Sequence, residues 1–325
     1  MKAIVYRDYG SPDVLRYEEV EKPAPGDDEV LIKVRAAALN ALDWRILRGK
    51  PWPMRLVIGG LRKPRITRPG RDVAGVVEAV GRNVTRFKPG DQVFGACLGT
   101  CAEYACAMEE KLVRKPANIS FEQAAAVPVA ALTALQGLRD KGRIRPGHKV
   151  LVDGASGGVG TFAVQIAKSF AAEVTAVCSP RNVDAARSLG ADHVLDYTRE
   201  DFTHSGQRYD LILAANAHRS LFDYRRALKP GGVYAMAGGG GMQMLQTMLL
   251  APFLSLTGSK KMCSFMAKIS QDDLAILKDL LATGKVVPII DRRYSLRETA
   301  EALRYLEEVH ARGKVVITVE QSNDD

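Results

Sequence analysis

The chain of 325 residues is long enough for about two domains, at roughly 150 residues per domain. Its 46% hydrophobic and 26% charged residues are typical of a folded globular protein and exclude a disordered chain. The net charge of +9 comes from basic residues spread singly or in short clusters such as Arg62-Lys63. A solvated surface is therefore favoured over a nucleic-acid interface.

Targeting and redox signals are weak. The opening residues turn polar too soon for a signal or transit peptide, so we expect neither. The longest apolar stretch, residues 242–256, is interrupted by Gln243, Gln246 and Pro252 and is shorter than the ~20 residues that span a bilayer. The 5 cysteines form an odd set without the density of a disulfide scaffold. We therefore expect reduced thiols and a cytoplasmic location.

Short β-rich runs separated by turn residues dominate the first 120 residues. The predicted strands are residues 3–6, 30–37, 74–80 and 92–94. Residues 49–69 are rich in proline, glycine and basic residues, and they are predicted to form a long ordered loop or lid.

From about Phe121 the pattern changes to alternating helices and strands. Predicted helices are residues 121–140, 159–170, 183–189, 220–228, 272–283 and 296–310. Predicted strands are residues 149–152, 173–178, 193–195, 210–214, 233–237, 286–290 and 315–319. Alternation of this kind indicates a parallel sheet with crossover helices.

A glycine-rich loop follows the first strand of this second region. The strand ends at Asp153, and the loop is made of Gly154, Ala155, Ser156, Gly157, Gly158, Val159 and Gly160. A strand, a glycine turn and a helix start in this order build a dinucleotide site, because glycine lets the backbone approach a pyrophosphate and the helix N-terminus offers N–H groups. Ala155 departs from the usual G-x-G-x-x-G pattern.

The end of the next strand indicates which dinucleotide is bound. An acid there usually binds the ribose 2′-hydroxyl of NAD, but this strand is followed by Ser179, Arg181 and Asn182, with no acidic residue before Asp184. Ser179 and Arg181 can bind a 2′-phosphate, which predicts NADP(H). The alternative is that Arg181 is a solvated residue at the start of a helix.

Several segments together resemble the zinc-free medium-chain dehydrogenases/reductases, in particular the quinone-oxidoreductase branch, from the first predicted strand to the last. They are the glycine loop, residues 1–9, 40–44, 70–75 and 188–197, Lys229-Pro-Gly-Gly232, and the closing residues 313–316. The resemblance implies an α/β fold, with a GroES-like β-rich catalytic domain over residues 1–122 and 266–325. It also implies a Rossmann NADP-binding domain, a doubly wound parallel sheet, over residues 123–265.

The resemblance also implies roles for single residues. Asn40 matches the active-site asparagine that orients the nicotinamide ribose or the substrate oxygen, and Asp43 and Trp44 lie beside it as further catalytic candidates. Trp44 stands where many quinone reductases have tyrosine, so the proton donor is left open, and Asp43 and Trp44 are equally consistent with a purely structural role. Thr133 matches the threonine beside the nicotinamide ribose.

Further cofactor-binding candidates lie later in the chain. Tyr197 resembles the tyrosine near the adenosine phosphate, and Lys314 the basic residue near the cofactor, although a surface role fits both as well. Asn216, Gly238 and Gly239 follow strands of the second region, and a Rossmann ligand lies at the carboxyl ends of such strands.

A zinc site is not expected. The zinc-dependent relatives place cysteine where this chain has Asn40 and a His-Glu pair where it has Arg71-Asp72. Their structural zinc uses four closely spaced cysteines, whereas Cys97, Cys101 and Cys106 are three at irregular spacing. The three cysteines are interpreted as small apolar strand residues.

Without a metal, the substrate has to be electrophilic already, as quinones and conjugated carbonyls are. The sequence therefore predicts an NADPH-dependent quinone or enone reductase, a monomer or homodimer with a small-molecule substrate and no nucleic-acid partner. Three alternatives are a nucleotide- or RNA-binding protein without turnover, a zinc-independent alcohol or carbonyl reductase, and a peripheral membrane protein that uses residues 242–256 with Lys260-Lys261. For residues 242–256 a pocket wall or dimer-interface helix is favoured, and Trp52 and Met54 are expected to add to an apolar substrate pocket.

Overall fold

The computed structural model describes residues 1–50, 52, 55, 60–256, 258–309 and 311–320. The chain forms two compact units. The first unit contains Met1–Val129, Ile269–Gly284 and Pro288–Asp325, and the second contains Ala130–Lys268 with Lys285–Val287. The domain boundaries predicted above lie a few residues before those of the two units.

The elements follow one another along the chain in two series. The first is β1 (Lys2–Val5), β2 (Arg16–Glu19), β3 (Glu29–Leu39), α1 (Ala41–Arg48), β4 (Asp72–Val80), β5 (Gln92–Ala96), β6 (Tyr104–Met108), β7 (Leu112–Arg114), α2 (Phe121–Ala125) and α3 (Pro128–Gln136). The second is β8 (Lys149–Asp153), α4 (Gly158–Ser169), β9 (Glu173–Cys178), α5 (Val183–Ser188), β10 (His193–Asp196), β11 (Tyr209–Ala214), α6 (Leu221–Ala227), β12 (Leu228–Met236), α7 (Gly241–Leu256), β13 (Lys261–Ser264), α8 (Gln271–Ala282), β14 (Ile290–Ser295), α9 (Thr299–Glu308) and β15 (Lys314–Thr318).

The first unit is built around one long central strand, β3. Its neighbours are β4, β6 and β15, all antiparallel to it, in a sheet of order β14-β15-β3-β4-β5-β7. Alternating apolar residues of β3, β4 and β15 bury a core that includes Ile32, Leu39, Val73 and Val315. The register pairs Ala38 with Asp72 and Leu39 with Val315, which brings the ends of three strands together beside residue 40.

The second unit is a six-stranded parallel sheet of order β10-β9-β8-β11-β12-β13. Strand order runs outward from β8 in both directions, so the topological switch point lies between β8 and β11. All six residues of β11 except Asp210 are buried, as a strand covered on both faces requires.

The predicted alternation of strands and helices in this region is confirmed, but two predicted elements are wrong. The single helix predicted over residues 121–140 is two helices, α2 and α3, because Pro128 has no N–H to continue α2 and instead begins α3. The strand predicted over residues 286–290 is found later, at β14. This edge strand contains the polar residues Asp291, Arg292 and Arg293, so it lacks an apolar sequence pattern, and it forms by pairing with β15. The helix predicted over residues 296–310 is α9, preceded by a 3₁₀ turn, and His310 lies outside the described residues.

The apolar stretch 242–256 is α7, and it is predominantly exposed. Thr247 and Ala251 are its buried residues, whereas Met248, Phe253 and Leu256 are about two-thirds exposed or more, at 67%, 68% and 84%. Within the described ranges no helix has the length and apolar character needed to cross a membrane. Whether α7 contributes to a pocket or an interface stays a prediction.

Candidate functional site

The loop between β8 and α4 has the geometry of a phosphate cradle. Gly154 has a φ of +80°, and a Cβ there would lie 2.9 Å from the Cβ of Asn216. A Cβ at Gly160 would lie 2.1 Å from the carbonyl oxygen of Gly154, so the first turn of α4 packs directly on the loop backbone. Both positions need glycine for internal steric reasons.

Gly157 differs from these two glycines because a Cβ on it would meet only the Gly154 oxygen, at 3.6 Å. Its backbone is extended, at φ −82°, and it precedes α4, whose first turn carries no acidic residue. Space beside the N-terminus of a 12-residue helix, where N–H groups lack intrahelical partners, is what a pyrophosphate needs. The remaining loop residues lie close to this space because they are near Gly157 in the chain; they are Ala155, Ser156, Gly158 and Val159. The residues of the loop therefore fit a dinucleotide.

The turn after β9 places the predicted 2′-phosphate residues. Asn182 is buried, and its Nδ2 donates to Ser179 Oγ at 3.0 Å while its backbone N–H donates to the Ser179 carbonyl at 2.9 Å. Asn182 therefore holds the shape of the turn. Arg181 is exposed and forms no ion pair with any residue that the structure describes. Its guanidinium is thus available to a ligand.

Other predicted cofactor residues lie at the same carboxyl edge of the sheet. The Tyr197 N–H donates to the Cys178 carbonyl at 3.3 Å, and the Tyr197 ring is 46% exposed. Gly238 and Gly239 pack against the loop after β11, where a Cβ on Gly238 would lie 2.5 Å from the Ala215 oxygen. Thr133 lies in α3 and is largely buried, and its contact with a nicotinamide ribose stays a prediction.

In the first unit, Asn40 belongs to a closed polar triangle. Lys314 Nζ donates to Asn40 Oδ1 at 2.6 Å and to Asp72 Oδ2 at 3.0 Å, and Asn40 Nδ2 donates to the same Asp72 oxygen at 3.0 Å. The Val129 N–H donates to the other Asp72 oxygen at 2.9 Å. Lys314 and Asp72 are 3% and 0% exposed, so this is a buried, hydrogen-bonded ion pair.

This triangle changes the interpretation of two predicted residues. Lys314 is not at the surface: its ammonium group is directed into the protein, and a cofactor contact would have to share it with Asp72. Asn40 is locked in one orientation, and one Nδ2 hydrogen is left unused among the described residues. Asp72 was missed as a site residue, because only the pairing of β3 with β4 brings it next to Asn40.

Asp43 and Trp44 lie in the first turn of α1. Asp43 Oδ2 accepts a hydrogen bond from the Asn40 N–H at 2.7 Å, as a residue that caps a helix does. Burial raises the pKa of the Asp43 carboxyl to about 6, against the Asn40 hydrogen bond and the charge of Arg71, which lower it. Trp44 is half-buried against the first unit's core. These contacts explain both residues structurally, and their catalytic roles stay predictions.

The Asp43→Asn variant should become more stable relative to the wild type as the pH rises. Between pH 3.8 and about 6 the carboxyl is ionised in the unfolded chain but protonated in the native one, so its contribution to the unfolding free energy falls as pH rises through that window. Asparagine keeps the acceptor for the Asn40 N–H and cannot ionise. We expect a relative gain of about 2 kcal/mol between about pH 4 and pH 7.5, measured by urea unfolding. A difference that does not change with pH would contradict this.

Across the part of the chain that the structure describes, no three His, Cys, Asp or Glu side chains are grouped to hold an ion. Burial raises the pKa of the Cys97 and Cys106 thiols to about 12 and about 11, and it raises that of Cys101 as well.

Comparison with known proteins decides the family. Residues 26–130 match the alcohol dehydrogenase GroES-like domain, and residues 189–317 match a family described as zinc-binding dehydrogenase. The chain is 36% identical over 335 residues to the chloroplastic quinone-oxidoreductase QR1 of Triphysaria versicolor, covering 98% of each protein. It belongs to the medium-chain dehydrogenase/reductase family.

Two further members extend the comparison. The chain is 35% identical to the chloroplastic NADPH-dependent alkenal/one oxidoreductase of Arabidopsis thaliana, over 98% of this chain and 79% of that protein. Its fold matches the quinone oxidoreductase of Coxiella burnetii with a TM-score of 0.85 and 28% identity, over 98% and 99% of the two chains. These matches confirm the predicted fold class, a GroES-like domain with a Rossmann sheet.

The predicted lid over residues 49–69, with Trp52 and Met54, belongs only in part to the described residues. Trp52 is 58% exposed, and Met54 lies outside the described residues, as do Pro51, Pro53 and residues 56–59 of the predicted lid. The described part of that segment is tied to the first unit, because Arg55 Nε donates to the Gly49 carbonyl at 3.1 Å and Tyr9 donates to the Gly60 carbonyl at 2.7 Å.

Proposed function

We propose that this protein is an NADPH-dependent oxidoreductase that reduces quinones or the C=C bond of α,β-unsaturated ketones and aldehydes without zinc. The observation that carries the proposal is the cofactor geometry of the second unit: an open glycine cradle at the start of α4, with Arg181, which has no ion-pair partner among the described residues, after the neighbouring strand. The names of the relatives, quinone oxidoreductases and an alkenal/one oxidoreductase, support the substrate class.

The chemistry follows from what the residues can hold. When bound, NADPH supplies a hydride, which conjugated carbonyls and quinones accept because they are already electrophilic. The α4 N-terminus binds phosphate, and Arg181 binds the 2′-phosphate as a charge-assisted contact. Asn40, fixed by Lys314 and Asp72, offers its remaining N–H as an oriented donor to a ribose or substrate oxygen. A rigid donor of this kind needs no reorganisation when charge develops on the substrate.

The test is NADPH consumption by the purified protein with a panel of quinones, 2-alkenals and simple alcohol–carbonyl pairs. We expect turnover of quinones or alkenals and little or none of simple ketones. Activity should survive chelators, since no zinc is required. Turnover of simple carbonyls alone, or activity that is lost with one zinc per chain, would refute the proposal. A cytoplasmic location and a monomeric or dimeric state are part of the same proposal, supported only by the sequence.

Arg181→Ala should weaken NADPH binding about tenfold or more and leave NADH binding nearly unchanged, because only NADPH carries the 2′-phosphate. Dissociation constants follow from the fluorescence of the reduced cofactors. The matched control is Arg187→Ala, which removes another exposed arginine close by, already paired with Asp184 at 3.4 Å, and should change neither constant. Equal losses for NADPH and NADH would remove Arg181 from the 2′-phosphate site.

A further inference from the structure

A buried carboxylate with a histidine beside it lies next to the glycine cradle. Asp153, the last residue of β8, is 1% exposed and accepts a hydrogen bond from the Tyr224 hydroxyl. His218 Nδ1 is 3.5 Å from Asp153 Oδ2 and 3.4 Å from the Asn216 carbonyl oxygen. Burial raises the pKa of Asp153, and the charge of His218 and the Tyr224 hydrogen bond oppose that rise.

His218 lies at the topological switch point of the sheet. It follows β11, and β11 pairs with β8, the strand from which the glycine loop leaves. Ligands of open α/β sheets bind at the carboxyl ends of the strands on either side of such a point. The side chain of His218 is 41% exposed, and its ring centre is 5.9 Å from that of Tyr197. The imidazole is therefore both anchored to β8 and accessible from the ligand side.

The cradle itself lacks a cation. None of the seven residues from Gly154 to Gly160 has an ionisable side chain, so a bound pyrophosphate would meet only backbone N–H groups and the helix dipole there. On the other side of the switch point, the first basic side chains after β11 are those of His218 and Arg219. Arg219 Nη1 is 3.2 Å from Asp201 Oδ2, so the Arg219 guanidinium is already in an ion pair. His218 remains, with the buried Asp153 carboxyl group 3.5 Å from its Nδ1.

We propose that His218, held by Asp153, is a further cofactor-binding residue that places a positive charge against the phosphates common to NADPH and NADH. The proposal rests on the proposed function, since it assumes a dinucleotide in the cradle. It differs from the assignment of Arg181, which acts on the 2′-phosphate alone. His218 therefore sets the affinity for both cofactors, and Arg181 sets the preference between them.

The experiment measures dissociation constants of NADPH and NADH for the wild type, His218→Gln and His218→Lys. Glutamine keeps a side-chain donor beside the Asn216 carbonyl and Asp153 but has no charge, so both constants should rise by about fivefold to tenfold, with their ratio unchanged. Lysine restores a cation and should bring both constants back to within about twofold of the wild type. His193→Gln is the matched control and should change neither constant. His193 is also exposed and paired with an acid, Glu173 at 3.0 Å, but it lies at the amino end of β10, away from the carboxyl ends of the strands where the cradle lies.

Each outcome is decisive. Unchanged constants in His218→Gln, a loss confined to NADPH, or a lysine variant as weak as the glutamine variant would overturn the proposal. Without cofactor, the thermal unfolding midpoint of His218→Lys should equal that of the wild type, and that of His218→Gln should be lower, because glutamine removes the basic group beside the buried Asp153. A lower midpoint in both His218 variants would assign the residue to the fold instead. If the wild type itself binds neither cofactor, the proposed function fails rather than this inference.

Discussion

Lys314→Met should lower the free energy of unfolding by about 3–5 kcal/mol, because it leaves Asp72 as an uncompensated charge in the core of the first unit. Asp72 is fully buried, and Lys314 supplies its only cation within 4 Å among the described residues. Asn40 would also lose the donor to its Oδ1. Methionine has nearly the shape of lysine, so the loss measures charge rather than packing. Urea unfolding monitored by circular dichroism gives the quantity directly.

Two companion variants make this result specific. Lys22→Met breaks an exposed ion pair, Lys22–Glu78 at 2.7 Å, and should cost at most about 1 kcal/mol. The double variant Lys314→Met with Asp72→Asn removes both charges and should be more stable than Lys314→Met alone. A Lys314→Met variant no less stable than Lys22→Met, or a double variant no more stable than Lys314→Met alone, would show that the triangle does not hold these strands.

Gly160→Ala should reduce NADPH affinity by roughly tenfold to a hundredfold and also destabilise the second unit, at a cost of about 1–3 kcal/mol. The added Cβ would lie 2.1 Å from the Gly154 oxygen and 2.7 Å from Ala155 Cα, both backbone atoms, so the loop has to move away from α4. That movement opens the cradle in which the pyrophosphate would bind. Cofactor fluorescence titration and thermal unfolding measure the two effects.

Gly157→Ala separates binding from folding at the same loop. Its Cβ would meet no described atom closer than 3.6 Å, so the stability of the protein without cofactor should change little. NADPH affinity should nevertheless fall, because the methyl group enters the space left for the ligand. Equal affinity in Gly157→Ala and wild type would mean that the pyrophosphate does not approach this part of the loop.

The sequence was most informative where structure depends on local signals. The glycine loop, the strands on either side of it and the helix that follows are encoded in consecutive residues, and the structure places them as predicted. Arg181 was predicted in the same way, from the missing acid after β9, and its role at a 2′-phosphate stays a prediction. The split of the helix at Pro128 also follows from a local signal, because proline has no N–H to donate within a helix, although the alanine- and leucine-rich composition around it favours a single helix.

The residues that sequence analysis missed depend on contacts between distant segments. The Asn40–Asp72–Lys314 triangle joins the ends of three strands that meet only through the register of β3 with β4 and β15. β14 has no apolar alternation and exists because β15 offers it an edge. Asp153 and His218 are 65 residues apart in the chain. They lie close together because Asp153 ends β8, His218 follows β11, and these two strands pair in the sheet. No local pattern predicts such pairs.

The most direct test of the central claim is product analysis after reaction with 4-deuterated NADPH and a 2-alkenal. A hydride acceptor that is electrophilic by conjugation takes the deuterium at its β-carbon, and the carbonyl survives. We expect a saturated aldehyde with deuterium at the β-carbon. An allylic alcohol with deuterium at C1 would contradict this expectation, because the hydride would then have been added to the carbonyl carbon, as by an alcohol dehydrogenase, and the C=C bond would be left intact.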